Sequence, residues 1–174
     1  MAIRRRRVIA LVLVAAGGIV VAIYALMWWG VMAIATTPHV SRSDRALSLA
    51  EVRNMRFPFP PTARNIQFAE YQEFIAYEFV VRFEAPKDDC LATVSKAVEA
   101  FHLSGMSPDK IADLSELQPL ASERQHVQQV GDLPVPWFDP ENINEGVEAG
   151  KRDSHTPKIW IDTARGVFYF QYTD

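Results

Sequence analysis

Cysteine is nearly absent from this sequence: Cys90 is the only one in 174 residues. One thiol cannot form an intramolecular disulfide, and it cannot build a cysteine-based metal cluster. A lipoprotein would need a cysteine directly after its apolar leader, and none lies there. Intramolecular disulfides, cysteine-based metal clusters and lipid attachment directly after the apolar leader are therefore excluded.

Charge is absent from residues 8–35, and all 21 acidic residues lie after that stretch. Four of the 18 basic residues form the run Arg4–Arg7, and the other 14 lie in the same later part of the chain as the 21 acidic residues. The later part of the chain therefore carries a formal charge of −7. A domain of that sign is repelled by phosphate backbones, and no basic patch with interleaved aromatics offsets it. We expect no binding of nucleic acid.

Catalytic and cofactor motifs are also lacking. There is no G-x-S-x-G nucleophile elbow, no glycine-rich phosphate loop and no H-x-x-x-H or H-E-x-x-H pair. The residues after Asp139 contain oxygen ligands and a glycine, but their spacing is not that of a calcium loop. Cys90 could be a nucleophile only if Asp88 and Asp89 did not oppose its thiolate. The sequence predicts no cofactor and no metal, and it favours a role that is not enzymatic.

The charge-free stretch predicts a transmembrane anchor over residues 8–35. Val8 to Trp29 alone would form a helix about 33 Å long at roughly 1.5 Å per residue, and a bilayer's hydrocarbon core is about 30 Å thick. Trp28 and Trp29 suit the headgroup layer at the far end. The arginine run favours a cytoplasmic tail over residues 1–7. We expect a single pass, with the C-terminal domain periplasmic or on the outer face of the cell membrane.

Two alternatives to the anchor stay open. Ala33-Ile34-Ala35 has the form that signal peptidase recognises, although a signal's apolar region is usually only about 7–15 residues. The arginine run also has some likeness to a twin-arginine export signal.

The remaining residues predict an α+β domain at 57–174, preceded by a juxtamembrane linker at 36–56. Capping-box spacing from Ser48 to Glu51 allows a short helix in that linker, ending near Arg56. Two signals mark strands in the domain: alternation of apolar and polar residues, and enrichment in β-branched and aromatic residues. They predict four strands: Asn65–Tyr71, Phe74–Glu84, Lys158–Asp162 and Val167–Thr173.

A helix is predicted between the second and third strands. It begins with Asp88 as its cap and runs to about Leu103, with a further turn or two in 107–117. Residues 119–158 have little periodicity and read as a long loop, which is usually functional, disordered or hiding an unrecognised strand. Gln125–Val130 is one candidate for such a strand. The order strand–strand–helix–loop–strand–strand predicts a small antiparallel sheet of four or five strands, with the helix packed on one face.

The candidate binding residues are Trp137, Phe138, Asp139 and Trp160. The first three lie in a proline-bounded segment, Pro134–Pro140, where stiffness lowers the entropy cost of binding. The alternative is that Trp137 and Phe138 simply attach the loop to the sheet. Trp160 belongs to the closing aromatic hairpin, which could present an exposed strip or, at a sheet edge, accept a partner strand.

These features favour a membrane-anchored binding or assembly module of the cell envelope, with another envelope protein as its partner. One alternative is an envelope hydrolase with a site at 134–157, where Asp139, Glu141, Asp153 or His155 would converge, with Asp162 close by. Another is a protective, immunity-type protein, a role that suits a small acidic domain on an anchor.

Overall fold

The fold is described from a computed structural model, which covers residues 18–30, 38–73, 76–101, 107–122, 127–150 and 156–174. The chain divides into two compact units, Met1–Thr37 and Pro38–Asp174. The globular unit therefore begins well before residue 57, because the predicted linker contributes a strand to its sheet.

In the first unit, residues 18–30 form a helix, α1. Its large apolar side chains are between 51% and 78% exposed. Within the described residues, no helix combines the length and the apolar character needed to cross a membrane. The predicted tail, residues 1–7, and both ends of the predicted anchor lie outside the described residues.

The second unit is built on a seven-stranded antiparallel sheet with the order β1-β2-β3-β9-β8-β7-β4. Its strands are β1 (His39–Arg42), β2 (Arg64–Glu73), β3 (Ala76–Glu84), β4 (Gln118–Pro119), β7 (Gly146–Gly150), β8 (Lys158–Asp162) and β9 (Val167–Thr173). A separate two-stranded hairpin consists of β5 (Gln129–Val130) and β6 (Leu133–Pro134). Two helices, α2 (Lys87–Ala100) and α3 (Pro108–Leu114), and one 3-10 turn (Pro140–Asn142) complete the described elements. The prediction of an α+β domain on an antiparallel sheet is confirmed.

One face of the sheet packs against α2, as the sequence predicts. Alternating residues of the central strands, including Phe79, Val81, Phe168 and Phe170, are at most 2% exposed in this first core. They meet the inner side of α2 and several aromatic rings. Phe57 packs among them, 5.1 Å from the ring of Phe170, so the proline-rich segment before β2 is part of this core.

The opposite face is also covered, although the sequence predicts packing by a helix on one face only. Residues 127–143 lie over it and form a second core with the other side of the central strands. Val80, Tyr169 and Trp160 are at most 5% exposed there. The domain thus has three layers: α2, the sheet and an irregular covering segment.

The long-loop prediction for 119–158 is wrong in its middle. The candidate strand Gln125–Val130 is confirmed at its end, where β5 lies, and its first two residues are outside the described residues. That stretch holds β5, β6, the 3-10 turn and β7. These strands are only two to five residues long. β5 and β6 pair with each other across a tight turn, and β7 pairs with β8. Segments this short show little periodicity of their own. The sheet accordingly has seven strands instead of four or five.

Two predictions about helix starts also differ from the structure. The residue capping α2 is Pro86, which has no side chain able to cap, while Asp88 and Asp89 occupy the first turn. Residues 49–57 form successive turns and bends. The capping-box bond from Ser48 N to Glu51 Oε2 does form, at 2.8 Å, but no helix follows it.

Candidate functional site

The proline-bounded segment places its two aromatic residues in different surroundings. Phe138 is 1% exposed. Its ring meets Tyr169 edge-on at 5.6 Å and Trp160 edge-on at 6.2 Å. Edge-to-face pairs of this kind stabilise beyond the apolar area that they bury. Phe138 therefore attaches the covering segment to the sheet and offers no surface to a partner.

Trp137 is only partly buried and lies in the wall of an open cleft. The cleft has a volume of about 220 Å³. One wall is the segment from Pro134 to Trp137, and the other is the end of β1 with the two residues that follow it. Ala69 of β2 lies between the two walls and is fully buried. An aromatic ring, two prolines and a small apolar residue thus meet in one concave surface.

The polar wall of this cleft is fixed by hydrogen bonds to β2 and by one ion pair within the wall. Ser43 donates its backbone N–H to the carbonyl of Phe68 at 3.0 Å, and its hydroxyl accepts from Phe68 N at 2.9 Å. Arg42 donates from Nε to Asp44 at 3.0 Å. Both side chains of that ion pair are exposed enough for water to weaken it. The pair can therefore exchange its internal contact for one with a ligand.

Asp139 serves the fold and does not line the cleft. Its carboxylate accepts a hydrogen bond from the hydroxyl of Tyr169 at 2.8 Å. Burial, and then this bond, raise the pKa of Tyr169 to about 12. The hydroxyl therefore stays protonated and donating through the physiological range. The Asp139–Tyr169 bond, like the ring of Phe138, attaches the covering segment to the sheet.

Trp160 is 5% exposed, and the other hairpin aromatics, Phe168, Phe170 and Tyr172, are at most 6% exposed. The hairpin β8–β9 lies inside the sheet, between β3 and β7. The prediction that it could be an edge with an exposed aromatic strip is wrong. Its aromatic content reflects burial on both faces, which alternation in the sequence does not reveal.

The carboxylates considered for hydrolysis do not form a catalytic group within the described residues. Asp162 is 2% exposed and accepts the backbone N–H groups of Ala164 and Arg165 at 3.1 and 2.8 Å. Asp139 is bonded to Tyr169, and Glu141 belongs to the 3-10 turn. Asp153 and His155 lie outside the described residues. In the part of the chain that the structure describes, no three His, Cys, Asp or Glu side chains are grouped to hold a metal ion.

Cys90 is fully buried on the inner face of α2, where its thiol faces the carbonyl of Ala85 at 3.6 Å. Burial raises the pKa of the thiol to about 11. The group is therefore protonated at neutral pH, which is the opposite of what a nucleophilic cysteine needs.

Arg42, Ser43, Asp44 and Ala69 are the cleft residues that the sequence did not single out. They come from a short polar strand and from the middle of β2, far from Trp137 along the chain. Only the pairing of β1 with β2 and the position of the covering segment bring them beside that ring. No local pattern carried this information.

Comparison of the chain with models of protein families, with curated proteins and with solved structures finds no match.

Proposed function

We propose that this chain is a single-pass membrane protein whose domain, residues 38–174, binds another component of the cell envelope through the cleft beside Trp137. The observation that carries the proposal is the position of Trp137. Its large ring is held partly exposed in a concave wall, although the other described aromatics of the domain's covering segment and closing hairpin are buried. Tryptophan in such a position is typical of interaction hot spots.

The dimensions of the cleft define what it can accept. A volume of about 220 Å³ is below the roughly 300–1,000 Å³ of small-molecule pockets. It suits one projecting apolar or aromatic side chain, or one proline, of a partner protein. The ring of Trp137 would supply the apolar contact, and the Arg42–Asp44 pair at the rim would supply polar contacts that fix direction.

The neighbouring edge strand extends this surface. β1 is the terminal strand of the sheet and is exposed over most of its length. Val40 on this strand is 44% exposed. An extended segment of a partner could pair with the free edge of β1 while its side chain enters the cleft. Main-chain pairing would provide affinity, and the cleft would provide selectivity.

Membrane attachment is supported by residues 8–35 and by the described helix α1. The stretch has no charged residue, and the large apolar side chains of α1 are more than half exposed. Such a surface is costly in water and stable in lipid. The run Arg4–Arg7 favours a cytoplasmic N-terminus, which places the domain on the other side of the membrane.

The test is site-specific cross-linking in living cells. A photoreactive amino acid is placed at Pro136, which is exposed and lines the cleft. We expect a discrete adduct with one protein, reduced at least about tenfold when Trp137→Ala is added, because truncating a hot-spot tryptophan typically costs more than about 2 kcal/mol. The control position is Lys110, an exposed residue of α3 outside the cleft.

An adduct of equal yield at Pro136 and Lys110 would indicate non-specific proximity and contradict the proposal. Persistence of the Pro136 adduct in the Trp137→Ala variant would do the same, provided that the variant keeps its circular dichroism spectrum.

A further inference from the structure

A second cleft lies where the β8–β9 turn meets the junction between β3 and α2. It has a volume of about 490 Å³. Its walls come from Thr62 and the first residue of β2, from the β3–α2 junction with the start of α2, and from the hairpin turn. We propose that this cleft, named here the basic cleft, binds a phosphoryl group carried by a small molecule or by a lipid headgroup.

Charge of one sign converges on the basic cleft. Arg64, Lys87 and Arg165 line it, and no carboxylate is among the described residues that do so. The three cations belong to three different elements, so they are not neighbours along one solvated strand or helix. The rest of the chain makes this unusual, because the residues after the anchor carry a formal charge of −7. A local positive cleft on a negative domain is a selective site for a compact anion.

Two of the three cations have little internal competition. Nε of Arg64 is 3.8 Å from Glu84, and its side chain is 76% exposed, so this contact is weak. Glu84 also accepts shorter bonds from Arg82 at 3.1 Å and from Asn65 at 2.8 Å. Lys87 is exposed and pairs with no described residue.

The third cation, Arg165, is held in place by an ion pair with Asp162. Its Nε donates to Asp162 at 2.5 Å, and this bond raises the pKa of the guanidinium. One edge of the guanidinium is thus fixed by a carboxylate that is itself almost fully buried. The remaining N–H groups keep the planar fork that matches phosphate oxygens.

The frame of the basic cleft is closely packed. The backbone of Ala85 donates to the carbonyl of Gly166 at 2.9 Å. A Cβ at residue 166 would lie 2.4 Å from the carbonyl oxygen of Ala85, so the turn approaches this junction as closely as glycine allows. The hydroxyl of Thr62 donates to Asp89 at 2.5 Å, which links the third wall to α2.

The first turn of α2 adds a weaker contribution. Its capping residue, Pro86, lines the basic cleft and caps no backbone group with a side chain. The backbone N–H groups of the first helical turn have no partner within the helix, and they favour a nearby anion. Asp88 and Asp89 lie in the same turn and oppose an anion, and the bond from Thr62 occupies one oxygen of Asp89. The cationic side chains therefore dominate the proposal.

Size and charge together favour a phosphoryl group. Three cations around one cleft exceed what a single carboxylate needs, and a phosphoryl group offers several acceptor oxygens with more charge. The volume leaves room for the small organic group that carries it. A soluble phosphate ester and a phospholipid headgroup present the same chemistry.

The test is calorimetric titration of the full chain, purified in a non-ionic detergent, with inorganic pyrophosphate. We expect saturable binding that weakens about tenfold in the variant Arg64→Gln, Lys87→Gln, because two charge-assisted contacts are lost. The matched control is Arg53→Gln, Lys110→Gln, which removes the same charge at exposed positions outside the basic cleft. That control should bind within about twofold of the unsubstituted chain. Thermal unfolding of each variant confirms that all of them are folded.

A second arm separates the two sources of the phosphoryl group. The titration is repeated with detergent micelles that contain phosphatidylglycerol, and with phosphatidylcholine as the zwitterionic control. If phosphatidylglycerol weakens pyrophosphate binding and phosphatidylcholine does not, the natural ligand is a lipid headgroup. If neither lipid weakens pyrophosphate binding, the natural ligand is a soluble phosphate ester. Either result supports the proposal when pyrophosphate binding depends on Arg64 and Lys87. Absence of saturable pyrophosphate binding, or an equal loss in both double variants, would overturn it.

Discussion

Asp162 shows what a buried carboxylate does in this protein. It is 2% exposed, and one oxygen accepts two backbone N–H groups of the following turn while the other accepts Nε of Arg165. Each of these donors stabilises the charged carboxylate and offsets the cost of removing it from water. In the sequence, Asp162 was one of four acids that could have converged in a catalytic site. In the structure its bonding capacity is used by the hairpin turn and by Arg165.

We expect Asp162→Ala to lower the free energy of unfolding by about 2–3 kcal/mol, because backbone donors and a guanidinium lose their acceptor. Asp162→Asn should cost less, about 1 kcal/mol, since an amide oxygen can still accept the turn's N–H groups. Chemical denaturation followed by circular dichroism measures both values.

Asp132→Ala is the matched control for these variants, because Asp132 is exposed in the β5–β6 turn. A change within about 0.5 kcal/mol is expected there. If the Asp162→Ala variant is as stable as this control, the buried hydrogen bonds of Asp162 make no net contribution to the free energy of unfolding.

At the scale of elements, the β8–β9 hairpin depends on one backbone conformation. Gly166 has a φ of 66° and approaches the carbonyl of Ala85. A left-handed φ is strained for residues with a Cβ, and here a Cβ would also collide with backbone that cannot move independently. The turn thus determines both the register of the hairpin and the shape of the basic cleft.

Gly166→Ala should destabilise the domain by about 3 kcal/mol or more, from the left-handed strain and the collision together. Ala164→Gly in the same turn is the control, and it should cost under about 1 kcal/mol because Ala164 is exposed. Thermal unfolding compares the two. If both variants unfold at the same midpoint temperature, the backbone around Ala85 accommodates the added Cβ without loss of stability, and the prediction is wrong.

The elements that sequence reasoning predicted share a physical property: their information is local. Lys158–Asp162 and Val167–Thr173 were predicted with the bounds that the structure has, because dense β-branched and aromatic residues mark strands. The buried residues Val94, Ala97 and Val98 of α2 likewise recur at helical spacing, a pattern that is local. By contrast, β1 and β7 are short and polar or glycine-bounded, and they exist through pairing with β2 and β8. Their stability comes from partners that one segment cannot reveal.

At the scale of the whole molecule, both candidate clefts combine residues that are distant in sequence. In the proline-bounded segment, the local pattern predicts stiffness and aromatic content. The fold alone decides that Trp137 lies at a surface and Phe138 in the second core. The residues opposite Trp137, and the three cations of the basic cleft, are far apart in sequence. Convergence of this kind depends on strand order, which local patterns do not determine.

The proposed topology makes a prediction for the intact chain that uses its single thiol. Cys90 is fully buried and its pKa is raised to about 11, so the unsubstituted protein should react with maleimide only after denaturation. Ser95→Cys introduces an exposed thiol on the outer side of α2. Its labelling by a membrane-impermeant maleimide therefore reports the location of the domain against an internal background of nearly zero.

If the arginine run orients the anchor as proposed, Ser95→Cys labels in intact cells, with an outer membrane permeabilised where one exists, as strongly as after lysis. Labelling that requires lysis would place the domain in the cytoplasm and remove the basis for an envelope partner. The two clefts would keep their chemistry in that case, because the wall of Trp137 and the convergence of Arg64, Lys87 and Arg165 are properties of the domain's own fold. The topology experiment therefore decides where the partners must be sought, while cross-linking and titration decide whether each surface binds.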